Sequence, residues 1–412
     1  MKQIAIIGGG ISGLTVLHYL KQRLGDSVQT TLYEREALTG GTIRSFKNDS
    51  ALFEWGPNGF LDNQPATLQL IEELGLPDQL IEAQSSARRR YLQNNGRLLA
   101  IPSNPIDLIF TPLLSSKDKC ALIAGIFKKN ITTDRSIYEY VSQRFSSGIA
   151  ESIVDPFISG IYAGDIKRLH MASAFPKLKG KGFKRSRMRS FKSGMGQIIK
   201  ALSERYKQDI QINKEILSPL INADITILAT PAYTSARIVA SYNPVLSQIL
   251  DQIPYAPIAV VGFLFKQDAF KIKPDGFGYL IPSKENKDVL GVLLESNVYA
   301  QRAGDDLIMI RVMLGGAHHP AIINDSPEQV INKALKEIDS VYGALAQPIA
   351  TFVKQWPKAI PQYEINYPFW RQSIAEQCSK TPGLYLCANY LDGISFNDCI
   401  NNAKSLAANM NI

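Results

Sequence analysis

The stretch Lys2–Leu14, KQIAIIGGGISGL, runs an apolar segment into three glycines and places a fourth at Gly13. Lys2–Ile7 reads as a buried strand and Ile11–Lys21 as a helix, so the glycines fall on the turn between them. Gly8, Gly10 and Gly13 satisfy the G-x-G-x-x-G spacing. Gly8 permits the tight turn, Gly10 lets a pyrophosphate approach the backbone, and Gly13 lets helix and strand pack closely. The helix N-terminus supplies N–H donors and positive potential. Gln29–Glu34 is a second strand, and Glu34 closes it about 20 residues beyond the turn, where its carboxylate holds ribose hydroxyls and repels a phosphate on that ribose. The segment predicts a βαβ unit for a dinucleotide other than NADP.

Composition sets outer bounds. The 412 residues are 45% hydrophobic and 20% charged, which suits a soluble globular protein of two or three domains. Apolar runs such as Ala121–Phe127 are too short to span a bilayer. A strand beginning almost at Met1 leaves no room for a signal peptide, so a cytoplasmic location is expected. Cys120, Cys378, Cys387 and Cys399 are scattered without a C-x-x-C pair, which predicts no metal site and no disulfide framework. The net charge of +8 concentrates in Arg88–Arg90 and in Lys177–Lys192, KLKGKGFKRSRMRSFK. Anionic lipid, an anionic substrate, or a plain solvated face all fit such clusters. No nucleic-acid motif accompanies the charge, so a nucleic-acid partner is not expected.

Further along, Pro65–Leu74 is an amphipathic helix stopped by Gly75 and Pro77. Residues 85–190 read as mostly helical, with proline-led entries at Pro102, Pro105 and Pro112. Asp224–Ala229 is a short apolar strand. Pro257–Phe265, Gly278–Pro282, Val289–Leu294 and Leu307–Leu314 read as strands of a second sheet. Gly383–Ala388 is a strand feeding a last helix from Phe396, and His318-His319 reads as a loop pair. The opening and closing segments therefore belong to one nucleotide-binding domain with others inserted. The expected fold is α/β, α+β overall. A Rossmann-type domain (1–64, 191–236, 350–412) carries a mixed-sheet substrate domain (65–84, 237–349) and a helical, membrane-associating domain (85–190).

Two more glycine clusters follow the first: Gly40-Gly-Thr-Ile-Arg44 and Phe53–Phe60, FEWGPNGF. Together with RYLQNNGRLLAIPSNPIDLI (Arg90–Ile109), DPFISGIYAGD (Asp155–Asp165), SFKSGMGQI (Ser190–Ile198), GFGYLIPSKE (Gly276–Glu285), WPKAIPQYE (Trp356–Glu364) and GISFNDCI (Gly393–Ile400), they resemble the protoporphyrinogen oxidase family, within the amine-oxidase and phytoene-desaturase flavoproteins. The resemblance covers nearly the whole chain. It implies FAD as cofactor. Gly8, Gly9, Gly10, Ile11, Ser12 and Gly13 would hold the pyrophosphate, and Glu34, with Arg35 beside it, the adenosine end. Gly41, Thr42 and Arg44 would cross the middle of the cofactor, Ile216 would meet the adenine, and Gly56, Pro57, Asn58 and Gly59 would bring bare backbone to the flavin ring. Trp356 and Ile394-Ser395-Phe396 would complete the site, the latter as a helix N-terminus near the reduced ring.

For the substrate, the resemblance implies a porphyrinogen with Arg90 on a propionate, Ser159 and Gly160 facing the pyrroles, and Leu280, Leu293 and Met313 sandwiching the macrocycle. Ordinary core packing competes for those three apolar residues. The implied reaction is oxidation of protoporphyrinogen IX by successive hydride transfers to FAD, with oxygen as acceptor, hydrogen peroxide as product and no dedicated protein acid or base. Oxidation of coproporphyrinogen III is the alternative, and a flavin-free binding protein on the same fold a second one. Peripheral contact with the cytoplasmic membrane suits the substrate, and a homodimer is compatible with the resemblance. Three positions depart from the family. Ala388 stands where glycine is usual, Met313 replaces an aromatic of some relatives, and Ile216–Asp224 is shorter than the family's hairpin.

Overall fold

Ile4–Ile7 is buried on both sides because its neighbours in the sheet are parallel strands covered by helices. The protein is described by a computed structural model covering residues 1–47, 50–102, 104–128, 131–175, 186–218 and 223–411. Five parallel strands run in the order Ile210–Gln211, Val28–Tyr33, Lys2–Ile7, Ile225–Leu228, Leu384–Leu386. The helix Ile11–Leu24 and the last helix, Phe396–Asn409, pack together over this sheet through Leu14, Leu17, Ile400 and Ala403. Segments from both ends of the chain thus make one nucleotide-binding layer.

The second sheet has seven strands, in the order Ala350–Pro361, Tyr255–Lys266, Leu307–Gly315, Val289–Leu294, Gly278–Leu280, Arg90–Asn94, Arg97–Ala100. All pairings are antiparallel except Gly278–Leu280 with Arg90–Asn94. The helix Pro327–Tyr342 covers one face, setting Val330, Ala334 and Ile338 against Val261, Phe263, Val292 and Val312. Register puts two lateral rows on the other face: Arg90, Gly278, Leu293, Arg311, Gly262, Phe352, and Leu92, Leu280, Gly291, Met313, Val260, Lys354.

Two segments differ from the sequence reading. Residues 90–100 are strands of the second sheet; helices begin only at Pro105–Phe110 and continue with Ser116–Phe127, Ile137–Arg144 and Asp155–Tyr162. Ala350–Pro361 is a long strand of that same sheet rather than part of the nucleotide-binding layer. Its prolines and polar residues hide the strand pattern. They are tolerated because it is an edge strand, with an irregular register between Ala256 and Ile258, across from Pro357. Most of the basic run Lys177–Lys192 and the middle of Ile216–Asp224 lie outside the described residues.

One polar cluster pins the first helix. His18 is fully buried, with Nε2 2.9 Å from Glu73 Oε2 and Nδ1 2.9 Å from the Tyr206 hydroxyl. Burial holds its pKa below the ordinary 6.5 despite the Glu73 carboxylate. Below pH 6.5 the unfolded chain therefore binds a proton that the folded one resists, and the stability present above that pH is lost as pH falls through the folded value. Thermal melts between pH 8 and pH 5 should show this slope, and His18→Asn should flatten it.

Candidate functional site

The turn after Lys2–Ile7 is built with almost no slack. Gly8 has φ +109°, donates its N–H to Tyr33 O (2.8 Å), and a Cβ there would sit 2.7 Å from Ala229 O. A Cβ on Gly13 would collide with Gly8 O, and one on Gly9 would come within 2.9 Å of Glu34 Oε2. Gly10 is different: a Cβ there meets nothing within 4 Å, so its surface opens on free space at the start of the helix, where Ile11 and Ser12 are buried. The second glycine loop lies across this opening, with Gly40 N–H donating to Gly9 O (2.8 Å) and Gly41 next to the Gly10 Cα.

Glu34 sits just past the second strand and is buried. Its Oε2 accepts from Gly9 N–H (2.7 Å) and its Oε1 from Glu36 N–H (2.9 Å), so the carboxylate is locked to the glycine turn with acceptor capacity to spare. Lys214 N–H donates to Glu34 O (2.8 Å), which brings the segment leading to half-buried Ile216 alongside. Arg35 pairs with Glu36 at 3.2 Å on the surface. Arg44 donates to Leu38 O (3.2 Å), lies over the Trp55 ring, and keeps its buried Nε without a partner.

The Gly56–Gly59 loop gives a different answer from the one its composition suggests. A Cβ on Gly56 would strike Thr42 O, and one on Gly59 the Tyr299 hydroxyl, so both glycines serve packing within the protein rather than vacating space. The loop is held from behind by its carbonyls. Arg311 Nη2 donates to Gly56 O (2.6 Å), while Ser190 Oγ (2.8 Å) and Arg302 Nη2 (3.3 Å) donate to Asn58 O. Trp356, on the edge strand, donates its indole N–H to Trp55 O (3.2 Å). Arg302 pairs with Glu54 at 3.1 Å and Arg311 with Glu295 at 3.4 Å, all four buried. Burial pushes the Glu54 carboxyl up to about 7 against the pull of Arg302. The sequence reading missed this quartet, although an arginine inside Leu307–Leu314, LIMIRVML, was the available signal.

Ile394–Phe396 opens the last helix. Ser395 caps it through a reciprocal pair with Asp398, and Gly393 N–H donates to the Tyr363 hydroxyl (2.8 Å). Phe396 packs on Phe60 at 5.4 Å between ring centres. Asn397, also missed, donates to Leu61 O and accepts from Thr67 Oγ1, both at 2.8 Å, tying this helix to the residues after the Gly56–Gly59 loop. Ala388 is accommodated in the core beside Leu228 and Tyr390.

Arg90, Leu280, Leu293 and Met313 share the face of the second sheet opposite the helix Pro327–Tyr342. The helix Asp155–Tyr162 crosses it so closely that a Cβ on Gly160 would be 2.9 Å from Leu280 Cδ2. Gly160 is exposed, whereas Ser159 is buried and its carbonyl accepts from Ala163 N–H (2.9 Å), spending that acceptor inside the helix end. Leu280 and Met313 are half-buried; Leu293 is buried beside Val298 and Tyr299. The Arg90 guanidinium lies over the Phe277 ring at 4.7 Å. Desolvation lowers its pKa, and it has no carboxylate partner among the described residues. His318 and His319 approach Asp155 and Asp288 instead of forming a catalytic group, and no three-residue metal cluster occurs among the described residues.

A model of the flavin-containing amine oxidoreductases matches residues 11–411. The chain belongs to this family. It is 26% identical to the mitochondrial protoporphyrinogen oxidase of Nicotiana tabacum, over 98% of this chain and 94% of the relative. It is 24% identical to the coproporphyrinogen III oxidase of Bacillus subtilis, over 98% and 97%. In structure it matches a protein from Exiguobacterium sp. 255-15, proposed to be a protoporphyrinogen oxidase, with TM-score 0.86, 21% identity and coverage of 99% and 98%. Like other flavin-containing oxidoreductases it is an FAD-dependent enzyme. The open space at Gly10, the acceptor capacity of Glu34 and the unpartnered Arg44 Nε fit that cofactor.

Gly10 and Gly13 separate cofactor space from packing. Gly10→Ala should leave the melting temperature of the flavin-free protein unchanged and weaken FAD binding at least tenfold in a fluorescence titration. Gly13→Ala should lower both stability and FAD content, because its methyl group meets backbone.

Proposed function

We propose that this enzyme oxidises protoporphyrinogen IX to protoporphyrin IX. The observation that carries the reading is the sheet face opposite the helix Pro327–Tyr342. It is apolar, and its two lateral rows hold Arg90 and Lys354, which pair with no carboxylate among the described residues, and Arg311, whose charge Glu295 balances. A flat hydrophobic molecule bearing propionates complements such a surface. The relatives named as protoporphyrinogen oxidases support the same substrate class.

On this reading Gly8–Gly13 and Glu34 anchor the dinucleotide, with Arg35, Gly41, Thr42, Arg44 and Ile216 along its length. Gly56–Gly59, Trp356 and Ile394–Phe396 surround the flavin end. When bound, FAD supplies a two-electron hydride acceptor that oxygen returns to its oxidised state with release of peroxide. The chain's own task is orientation. Arg90, exposed over the Phe277 ring and without a carboxylate partner among the described residues, binds a propionate as a charge-assisted pair. Leu280, Leu293 and Met313 form the floor, and Gly160 lets the helix close down on Leu280 without a side chain between them. Ser159 supports that wall from inside the helix. A pyrrole N–H loses its proton without an enzymic base, consistent with a floor that presents no carboxylate.

Coproporphyrinogen III is the competing substrate, favoured by the relative from Bacillus subtilis. Its four propionates ask for more cations than Arg90 and Lys354, the two on this face without a carboxylate partner among the described residues. Aerobic incubation with each porphyrinogen, followed by porphyrin fluorescence, decides between them: faster turnover of coproporphyrinogen overturns the assignment. Arg90→Ala should raise KM about tenfold or more while the flavin spectrum stays unchanged. Unchanged kinetics would remove Arg90 from the site.

The helices Pro105–Phe110 and Ser116–Phe127 support membrane contact. Phe110 is 79% and Phe127 76% exposed, Ile106, Ile123 and Ile126 are exposed too, and Lys117 and Lys128 lie nearby. No helix among the described residues is long and apolar enough to cross a membrane, so the contact proposed is peripheral. Wild-type protein should float with anionic liposomes at low salt, and Phe110→Ser/Phe127→Ser should sediment free of them.

A further inference from the structure

The buried quartet of Glu54, Glu295, Arg302 and Arg311 is assigned to neither substrate nor cofactor in the proposed function, and it is an expensive thing to keep. Arg302 is fully buried and Arg311 nearly so, as are both carboxylates. Their pairing is incomplete: Arg302 Nε and Nη1, Arg311 Nε and the Tyr299 hydroxyl have no partner among the described residues. Taking ions out of water costs several kcal/mol each, and buried ion pairs can often be replaced by apolar residues with no loss of stability. Packing alone therefore does not account for them.

An apolar replacement could not reproduce two of their contacts. Arg311 Nη2 donates to Gly56 O at 2.6 Å. Arg302 Nη2 donates to Asn58 O at 3.3 Å and to Ser190 Oγ at 2.6 Å, and Ser190 Oγ in turn donates to Asn58 O at 2.8 Å. The carboxylates orient the guanidinium groups. Glu54 is itself fixed by Ser45 Oγ (2.6 Å) and Met195 N–H (2.8 Å), and Glu295 faces the Asn58 amide at 3.5 Å. Gly56 and Pro57 share one peptide and Asn58 and Gly59 the next but one, so both ends of the loop are gripped through carbonyl oxygens. Proline at 57 and the packed glycines leave the loop little other freedom.

We propose that Arg302 and Arg311 are positioning residues that hold the Gly56–Gly59 backbone as the seat of the flavin. The inference rests on FAD lying against this loop, as in the function proposed above. The grip of Arg311 acts through geometry: Nη1 serves the Glu295 carboxylate and Nη2 the Gly56 carbonyl, a fork that an ammonium cannot span, while Arg302 gathers Glu54, Ser190 Oγ and Asn58 O around Nη2 alone.

The test uses the full chain stripped of flavin and titrated with FAD. The double variant Arg311→Met/Glu295→Gln removes the buried charge pair together, so no lone ion is left to unfold the protein. It should melt within a few degrees of wild type, yet bind FAD at least tenfold more weakly, with an altered visible flavin spectrum. Arg311→Lys keeps the charge but not the fork, and should show the same weakening while Glu295 stays paired. A double variant or a lysine variant that folds and binds FAD with wild-type affinity and spectrum overturns the proposal. Wild-type protein that takes up no FAD overturns the cofactor placement on which it rests, and the two failures are told apart by the wild-type titration alone.

Discussion

The contact between the strand Lys2–Ile7 and the start of the first helix governs the site. Gly13 touches Gly8 O so closely that no side chain fits, and Gly8 in turn lies against the carbonyl of Ala229 on the neighbouring strand. Two strands and a helix terminus thus meet at one point, beside the free space at Gly10. Glu34 is fastened to this point through Gly9 N–H, and the Gly40–Gly41 loop through Gly9 O. If helix and strand stood further apart, neither the carboxylate nor the second loop would reach the opening.

This part of the fold was legible because each of its constraints leaves a local mark. Strand, glycine spacing, helix and acid lie within a short stretch, and each residue type is dictated by its immediate surroundings. The second sheet was harder. Four of its strands show apolar runs, but Ala350–Pro361 combines two prolines, two lysines and a tryptophan, a composition possible only at an edge. Arg90–Ala100 is a hairpin closed by Asn95-Gly96, a turn signal that the helical reading overlooked, and only its pairing with Gly278–Leu280, almost 200 residues away, leaves no trace nearby. The arginine quartet was invisible for a similar reason. Glu54, Glu295, Arg302 and Arg311 come from three separate segments, and nothing in any one of them announces the other two.

The glycines of FEWGPNGF show where composition misleads. Bare backbone beside aromatics suggests room made for a ring, yet both Cβ directions point into protein. What the loop gains is a fixed shape, with Trp55 held by Trp356, Gly56 by Arg311 and Asn58 by Arg302 and Ser190. The sheet face opposite the helix Pro327–Tyr342 works the other way. It spends its polar residues sparingly, so Arg90, a guanidinium without a carboxylate partner among the described residues, stands out as a point of recognition.

The topology of the first sheet has a bearing on biosynthesis. Its central strand, Lys2–Ile7, is made well before its neighbour Ile225–Leu228, and the edge strand Leu384–Leu386 and the helix Phe396–Asn409 follow later still. The nascent Lys2–Ile7 segment, apolar and rich in β-branched residues, can pair early with Val28–Tyr33 but must wait for Ile225–Leu228 on its other side. Contacts of such long sequence separation form slowly and leave intermediates open to aggregation. Dinucleotide capture belongs to the end of that process, which makes cofactor supply a determinant of how much chain reaches the finished state.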